Sequence, residues 1–169
     1  MNLTMDPDTA KSSRADLEEM ATGFNEYAVT ISELTEGRIS PEEIAYTVLP
    51  DNRIDPVLSI KYGDFIAERL RLELDNPNLT VAQKSALYEA FKAANAMEYA
   101  STSLFNAETA GGFRPMPYDQ EILRQALLIG DEALNMLPTA IATVEAENNM
   151  IAAGVTGVLS DPKALAQLP

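Results

Sequence analysis

Leu123, Leu127, Gly130, Leu134, Leu137, Ile141, Val144, Asn148 and Ile151 follow one another at alternating intervals of four and three. A strand repeats every two residues and cannot carry such a run. A helix with one buried seam produces it. The stretch therefore predicts a long last helix, capped by Asp119 and about 50 Å long if unbroken, at about 1.5 Å per residue. Pro138 lies inside it, which predicts a kink there or two abutting helices. Asn148 admits two readings. A polar seam residue can fix register or oligomeric state; alternatively the seam ends near Val144 and Asn148 faces water.

The same period recurs upstream. Leu17, Met20, Phe24, Tyr27, Ile31 and Leu34 predict a helix over 14–36, with Ser13 as cap and Gly37 at its end. Ser40-Pro41-Glu42-Glu43 starts a short helix that Pro50 stops. Asp55-Pro56 opens another, about 56–74, expected to bury Leu58, Tyr62, Phe65, Ile66 and Leu70, with Asn76-Pro77-Asn78 as its stop. Thr80 and Gln83 form a capping box for a helix from 81 to about 108. Leu87, Phe91, Ala94, Met97, Ser101 and Leu104 line its seam, and its many alanines let neighbours approach closely. Strand signals are weak, and no Asn-Gly or Asp-Gly turn joins two alternating runs.

The expected fold is all-α: an up-and-down bundle of about four long helices plus a short extra one, the last kinked near Pro138. Residues 1–12 read as a polar lead-in, 13–153 as the bundle domain and 154–169 as a tail. The last helix should overhang the others and leave apolar seam for a partner.

Charge and missing residue types narrow the function. Twelve Lys and Arg oppose 26 Asp and Glu, a net charge of −14. That balance disfavours direct nucleic-acid binding and anionic membranes, and suits solubility or a basic partner. No apolar run reaches the length of a membrane span, and the N-terminus lacks a signal peptide's basic start and apolar stretch. Cytoplasmic or virion-associated localisation is expected, with signal-less export left open.

The chain contains no His, Cys or Trp. Without histidine there is no Ser-His-Asp triad, no imidazole base and no Glu-x-x-His di-iron site. Without both His and Cys, structural zinc has no usual ligands. The oxygen-rich loop Asp51–Asp55 lacks the glycine and distal glutamate of a calcium loop, so its polar residues read as turn and cap. Neither phosphate-binding glycine motif occurs. Ser101 and Ser103 lie in a helical run and have no base; Tyr62, Tyr88, Tyr99 and Tyr118 lack a visible pocket. We expect no enzyme, no cofactor and no metal.

Three features remain for a partner. Glu19, Glu26 and Glu33 repeat every seven residues, an acidic stripe at intervals of about 10.5 Å. It could dock a basic protein or mimic nucleic acid, or serve as a solvated face; it is sparse beside a phosphate strand. The loop carrying Phe113, Arg114, Met116 and Tyr118 is unusually apolar. It either plugs the bundle end or inserts into a neighbour. Asn148 is the third. The leading reading is a helical assembly or adaptor protein working through protein contacts, possible self-association included. Its composition resembles that of phage-virion or secretion-apparatus components by analogy only. The alternatives are an acidic inhibitor of a basic partner, and a bundle with a ligand or a carboxylate or tyrosine site.

Overall fold

The computed structural model describes the backbone of residues 7–46, 56–109 and 117–154. Among them the elements are α1 (Pro7–Asn25), α2 (Ala28–Leu34), a 3-10 turn at Pro41–Ile44, α3 (Pro56–Leu74), α4 (Val81–Thr109) and α5 (Pro117–Ala152). The fold is an all-α helical bundle.

Helix α4 is its axis. It packs against α1, α3 and α5, and α1 also touches α5. Its inward positions are Ala82, Ala86, Ala90, Ala93, Ala94, Ala96, Ala100 and a few larger residues, Leu87, Met97 and Leu104 among them. Small side chains let three helices approach one rod. The capping box is made as the sequence implies: Thr80 N–H donates to Gln83 Oε1 (2.9 Å) and Gln83 N–H to Thr80 Oγ1 (3.1 Å). The glutamine also reaches across to Leu34 O (3.3 Å), fastening the end of α2 to the start of α4.

Directions follow from such cross-links. Gly130 of α5 lies against Ala96 of α4, each thirteen residues from the connection between these helices, so the two are antiparallel. Met20 lies at Gly130 and Gly23 at Leu134, so α1 runs parallel to α5. Helices α3, α4 and α5 alternate in direction as an up-and-down bundle requires. The segment after α2 turns back along the bundle: Tyr46 sits beside Asn25 and Phe24 rather than beyond Leu34.

The first helix differs from expectation at three points. It begins at Pro7, ahead of Ser13, with proline in the first helical position where a missing N–H costs nothing. It is interrupted at Glu26–Tyr27, where Tyr27 N–H bonds the carbonyl three residues back, Phe24 O (2.9 Å). The Asn25 side chain explains the break: its Nδ2 donates to Tyr46 O (2.8 Å), and its Oδ1 accepts from Tyr46 N–H (2.7 Å). One amide thus satisfies both backbone groups of a residue outside any helix. Third, Glu36 (φ 55°) already takes the left-handed closing position, and Gly37 (φ 80°) follows it in the same region. Gly37 N–H bonds Ser32 O (2.9 Å) and Glu36 N–H bonds Glu33 O (3.0 Å), a full Schellman closure with glycine one place late.

Helix α3 keeps its expected bounds, but Phe65 is exposed; Gly63, Ile66, Ala67, Leu70 and Glu73 form the inward face instead. Phe65 precedes Ile66 by one residue, about 100° around the helix. The side chains of Leu58 and Tyr62 lie outside the described residues. Helix α5 passes through Pro138 as one element, so it is not two abutting helices. Its buried line is Leu123, Ala126, Gly130, Ala133, Leu137, Ile141, Val144 and Glu147, with Leu127 and Leu134 at the margin. Alanines 126 and 133 displace the leucines from the centre because α4 and α1 grip α5 closely. Asn148 and Ile151 are exposed; of the two readings of Asn148, the one facing water holds within this chain.

Stability outcomes follow at three positions. Glu36→Gly should raise the unfolding free energy by about 1 kcal/mol, the cost of left-handed backbone for a residue with a Cβ, whereas Glu36→Ala should not. Denaturant titration measures both. Gly130→Ala should destabilise by about 1–3 kcal/mol, because the new methyl meets the Met20 methyl and stands 3.3 Å from Ala96 Cβ. Gly23→Ala meets only Leu134 Cδ1 at 3.9 Å and should be neutral or slightly stabilising.

Candidate functional site: an uncovered apolar face

Helices α3, α4 and α5 lie side by side with α4 in the middle, and α1 covers one side of α4 and α5. The side of α4 turned away from the alanine seam stays open. Along it run Val81, Lys84, Ser85, Tyr88, Lys92, Asn95, Tyr99 and Thr102, at helical spacing. Val81, Tyr88 and Tyr99 are each more than half exposed. Beside them α5 presents Ile122, Ile129 and Met136, of which Ile129 and Met136 are about half exposed. A groove of about 250 Å³ lies between, lined by Ala96, Tyr99, Ile122, Ala126 and Ile129, with Lys92, Asn95 and Gln125 supplying polar atoms.

Local contacts order this face. Tyr88 and Phe91 stack with centroids 6.4 Å apart, and Lys92 Nζ sits 5.0 Å above the Tyr88 ring. The same ammonium is 3.0 Å from Glu89 Oε1. Glu89 is buried, and its Oε2 has no hydrogen-bond partner among the described residues. The lysine is thus held flat against its helix, with its apolar stem spread over the surface.

By length and composition Glu121–Ala152 would also pass as a membrane-crossing helix, with 28% of its most apolar window buried. Asking for an uninterrupted apolar run misses this helix because Asp131 and Glu132 break the run. Its apolar surplus is the outer stripe described above, added to the inner seam.

Other polar clusters are saturated. Buried Glu73 accepts from Arg38 Nε (2.7 Å) and Asn76 Nδ2 (3.3 Å) and lies 3.8 Å from Arg69 Nη1. Arg69 also donates to Arg38 O (2.6 Å) and Glu43 (3.3 Å). This clasp ties the turn after α2 to α3, with its donors consumed. Tyr46 is fully buried, edge-on to Phe24 at 5.3 Å, its hydroxyl 3.5 Å from Ala94 O. Burial first, then the nearby charge of Glu98, pushes its phenol well above the usual range, so it stays neutral. Exposed Glu68 and Glu121 are lowered by hydrogen bonds from Arg71 and Arg124. Among the described residues no group of three acidic side chains could hold a metal ion.

The residues singled out from sequence fall differently. Glu19, Glu26 and Glu33 are all exposed, and none makes an ion pair among the described residues. They lie on α1, on α2 and in the break between, on the side of the bundle away from the α4 strip. Phe113, Arg114 and Met116 lie outside the described residues, as does the Asp51–Asp55 loop. Tyr118 is in the first turn of α5, and its side chain is outside them too. Tyr88 and Tyr99, without a visible pocket in the sequence, belong to the open face. The recurrence of large residues at Val81, Tyr88 and Tyr99, off the alanine seam, is the signal that could have found it.

No protein-family model, curated protein or solved structure matches the chain.

One titration is marked by geometry. A Cβ at Gly63 would stand 3.3 Å from Glu98 Cα and Cβ, so α3 and α4 nearly touch there. Burial, reinforced by Asp64, raises the Glu98 pKa. The folded state then holds this proton more tightly than the unfolded chain. Its stabilising effect is full below the unfolded value near 4.5 and is lost as pH rises through the raised one. Glu98→Gln should match the wild type near pH 4 and melt higher at pH 7, as thermal unfolding over that interval would show.

Proposed function

We propose that this protein is a non-enzymatic helical assembly or adaptor protein that works by docking other protein surfaces. The observation that carries this reading is the open α4–α5 face. Two tyrosines, an isoleucine and a methionine are about half exposed on one continuous side, where folding alone gains nothing from them. Aromatic residues and methionine are the types that dominate binding energy at interfaces, while scattered single apolar residues need no explanation. The groove beside Tyr99 can receive a partner side chain, with Lys92, Asn95 and Gln125 as its polar rim. A phage virion or bacterial secretion apparatus is the setting we favour, on composition alone.

A second reading has its own support. Glu19, Glu26 and Glu33 are exposed and unpaired among the described residues, a surface suited to a basic partner, as an acidic inhibitor would use.

Affinity capture from the native host separates the two. Under the leading reading, Tyr99→Glu combined with Ile129→Glu should abolish capture, and joint Glu19→Lys, Glu26→Lys and Glu33→Lys should leave it intact. The opposite pattern favours the inhibitor. Capture that withstands both sets removes both surfaces from consideration.

A further inference from the structure

We infer that the open α4–α5 face is the contact between two copies of this chain, which pair about a two-fold axis crossing α4 at the level of Ala90. This rests on the docking reading above and names its partner.

Charge selects the occupant. A chain at −14 repels its own copies, so self-association favours a face poor in exposed carboxylates. The α1–α2 side fails: Asp16, Glu19, Glu26, Glu33 and Glu36 are all exposed there. The α4 strip passes. From Val81 to Thr102 its outward positions are Val81, Lys84, Ser85, Tyr88, Lys92, Asn95, Tyr99 and Thr102. Its acids stand at the two margins: Glu89 is buried and meets Lys92, and Glu98 is half-buried beside Gly63 of α3. Glu121 and Glu132 stand exposed at the α5 edge of the face. A two-fold pairing can set such rims against the lysines of the other copy, an arrangement in which local attraction offsets net repulsion.

The strip is also self-complementary. Tyr88 and Lys92 are equidistant from position 90, as are Val81 and Tyr99. An antiparallel crossing centred there sets Tyr88 opposite Lys92 of the partner subunit, and Val81 opposite the partner's Tyr99. Each aromatic ring then meets a cation or an apolar side chain, and each contact occurs twice. From Val81 to Tyr99 the strip is about 27 Å long. Two helices wide, at about 9 Å each, it offers on the order of 500 Å² per copy. The total of about 1,000 Å² is the lower limit of a specific interface, so the dimer should be weak and concentration-dependent.

Sedimentation of the full chain from about 1 µM to about 1 mM tests this, a range that brackets micromolar affinity. The mass should rise from 18.4 kDa to twice that value. Tyr99→Glu and, independently, Ile129→Glu should hold it at the monomer with helical circular dichroism unchanged, while Glu26→Gln should leave dimerisation intact. Because the chain has no cysteine, introduced ones report the face: Ser85 and Asn95 are equidistant from position 90, so a short bis-maleimide should join a Ser85→Cys chain to an Asn95→Cys chain, and not two Thr22→Cys chains through α1. A monomer at every concentration overturns the inference, as does a dimer indifferent to both face variants. If that monomer still loses host capture on the joint Tyr99→Glu and Ile129→Glu change, the docking reading survives with another occupant. If capture is also indifferent, both fall.

Discussion

The close approach of helices to the alanine face of α4 is the constraint on which the bundle depends. Eight of its buried positions, Ala82 through Ser101, carry a methyl or hydroxymethyl group. Two neighbours present a glycine at the tightest point: Gly130 on α5 against Ala96, and Gly63 on α3 against Glu98. Large residues fill what the small ones leave, as Phe24, Leu70, Met97 and Leu104 do. Close packing gains dispersion energy but leaves no slack, because interiors at crystal-like density tolerate little added volume.

Closeness carries an electrostatic consequence. Where α3 meets α4, the Glu98 carboxylate is drawn partly out of water and its proton held more tightly. Where the chain after α2 returns, polar groups that no helix satisfies are met one by one. Asn25 pairs with Tyr46, and Thr35 Oγ1 donates to Ser32 O and accepts from Ile39 N–H. Arg69 reaches Arg38 O, and Glu73 joins both arginines. A buried carboxylate is costly unless it is paired, and here the pairing is complete. The segment is held by specific polar bonds where a helix would be held by its seam.

That division explains what could be read in the sequence. The seams of α1, α2 and α4, the Thr80–Gln83 cap and the bounds of α3 follow from spacing and local chemistry, and each is where it was expected. The break at Glu26–Tyr27 was not legible, since its cause, Tyr46, is twenty-one residues away in sequence from Asn25. In α5 the leucine spacing misled, because Ala126 and Ala133 sit deeper than Leu127 and Leu134. Hydrophobicity identifies a candidate for burial, but helix spacing decides which candidate reaches the centre. Phe65 follows the same logic: apolar, on a helix, and one position away from the inward face. The acidic stripe was legible in position, because a carboxylate at heptad position c must face water. The open face was not, because a second stripe at helical spacing looks in sequence like an extension of the first.

Exposed apolar stripes on α4 and α5 also bear on how the charge is distributed. A chain with this much uncovered Tyr, Ile and Met on one side needs a reason not to aggregate through it. A net charge of −14 supplies that reason at long range. At contact distance, screened over about 8 Å at physiological salt, the acid-poor α4 strip is opposed far less. Repulsion that acts far away and fades at one face favours a single orientation of approach over many. Under the proposed pairing, the acidic surface would reject wrong encounters and the apolar strip would give the right one its binding energy.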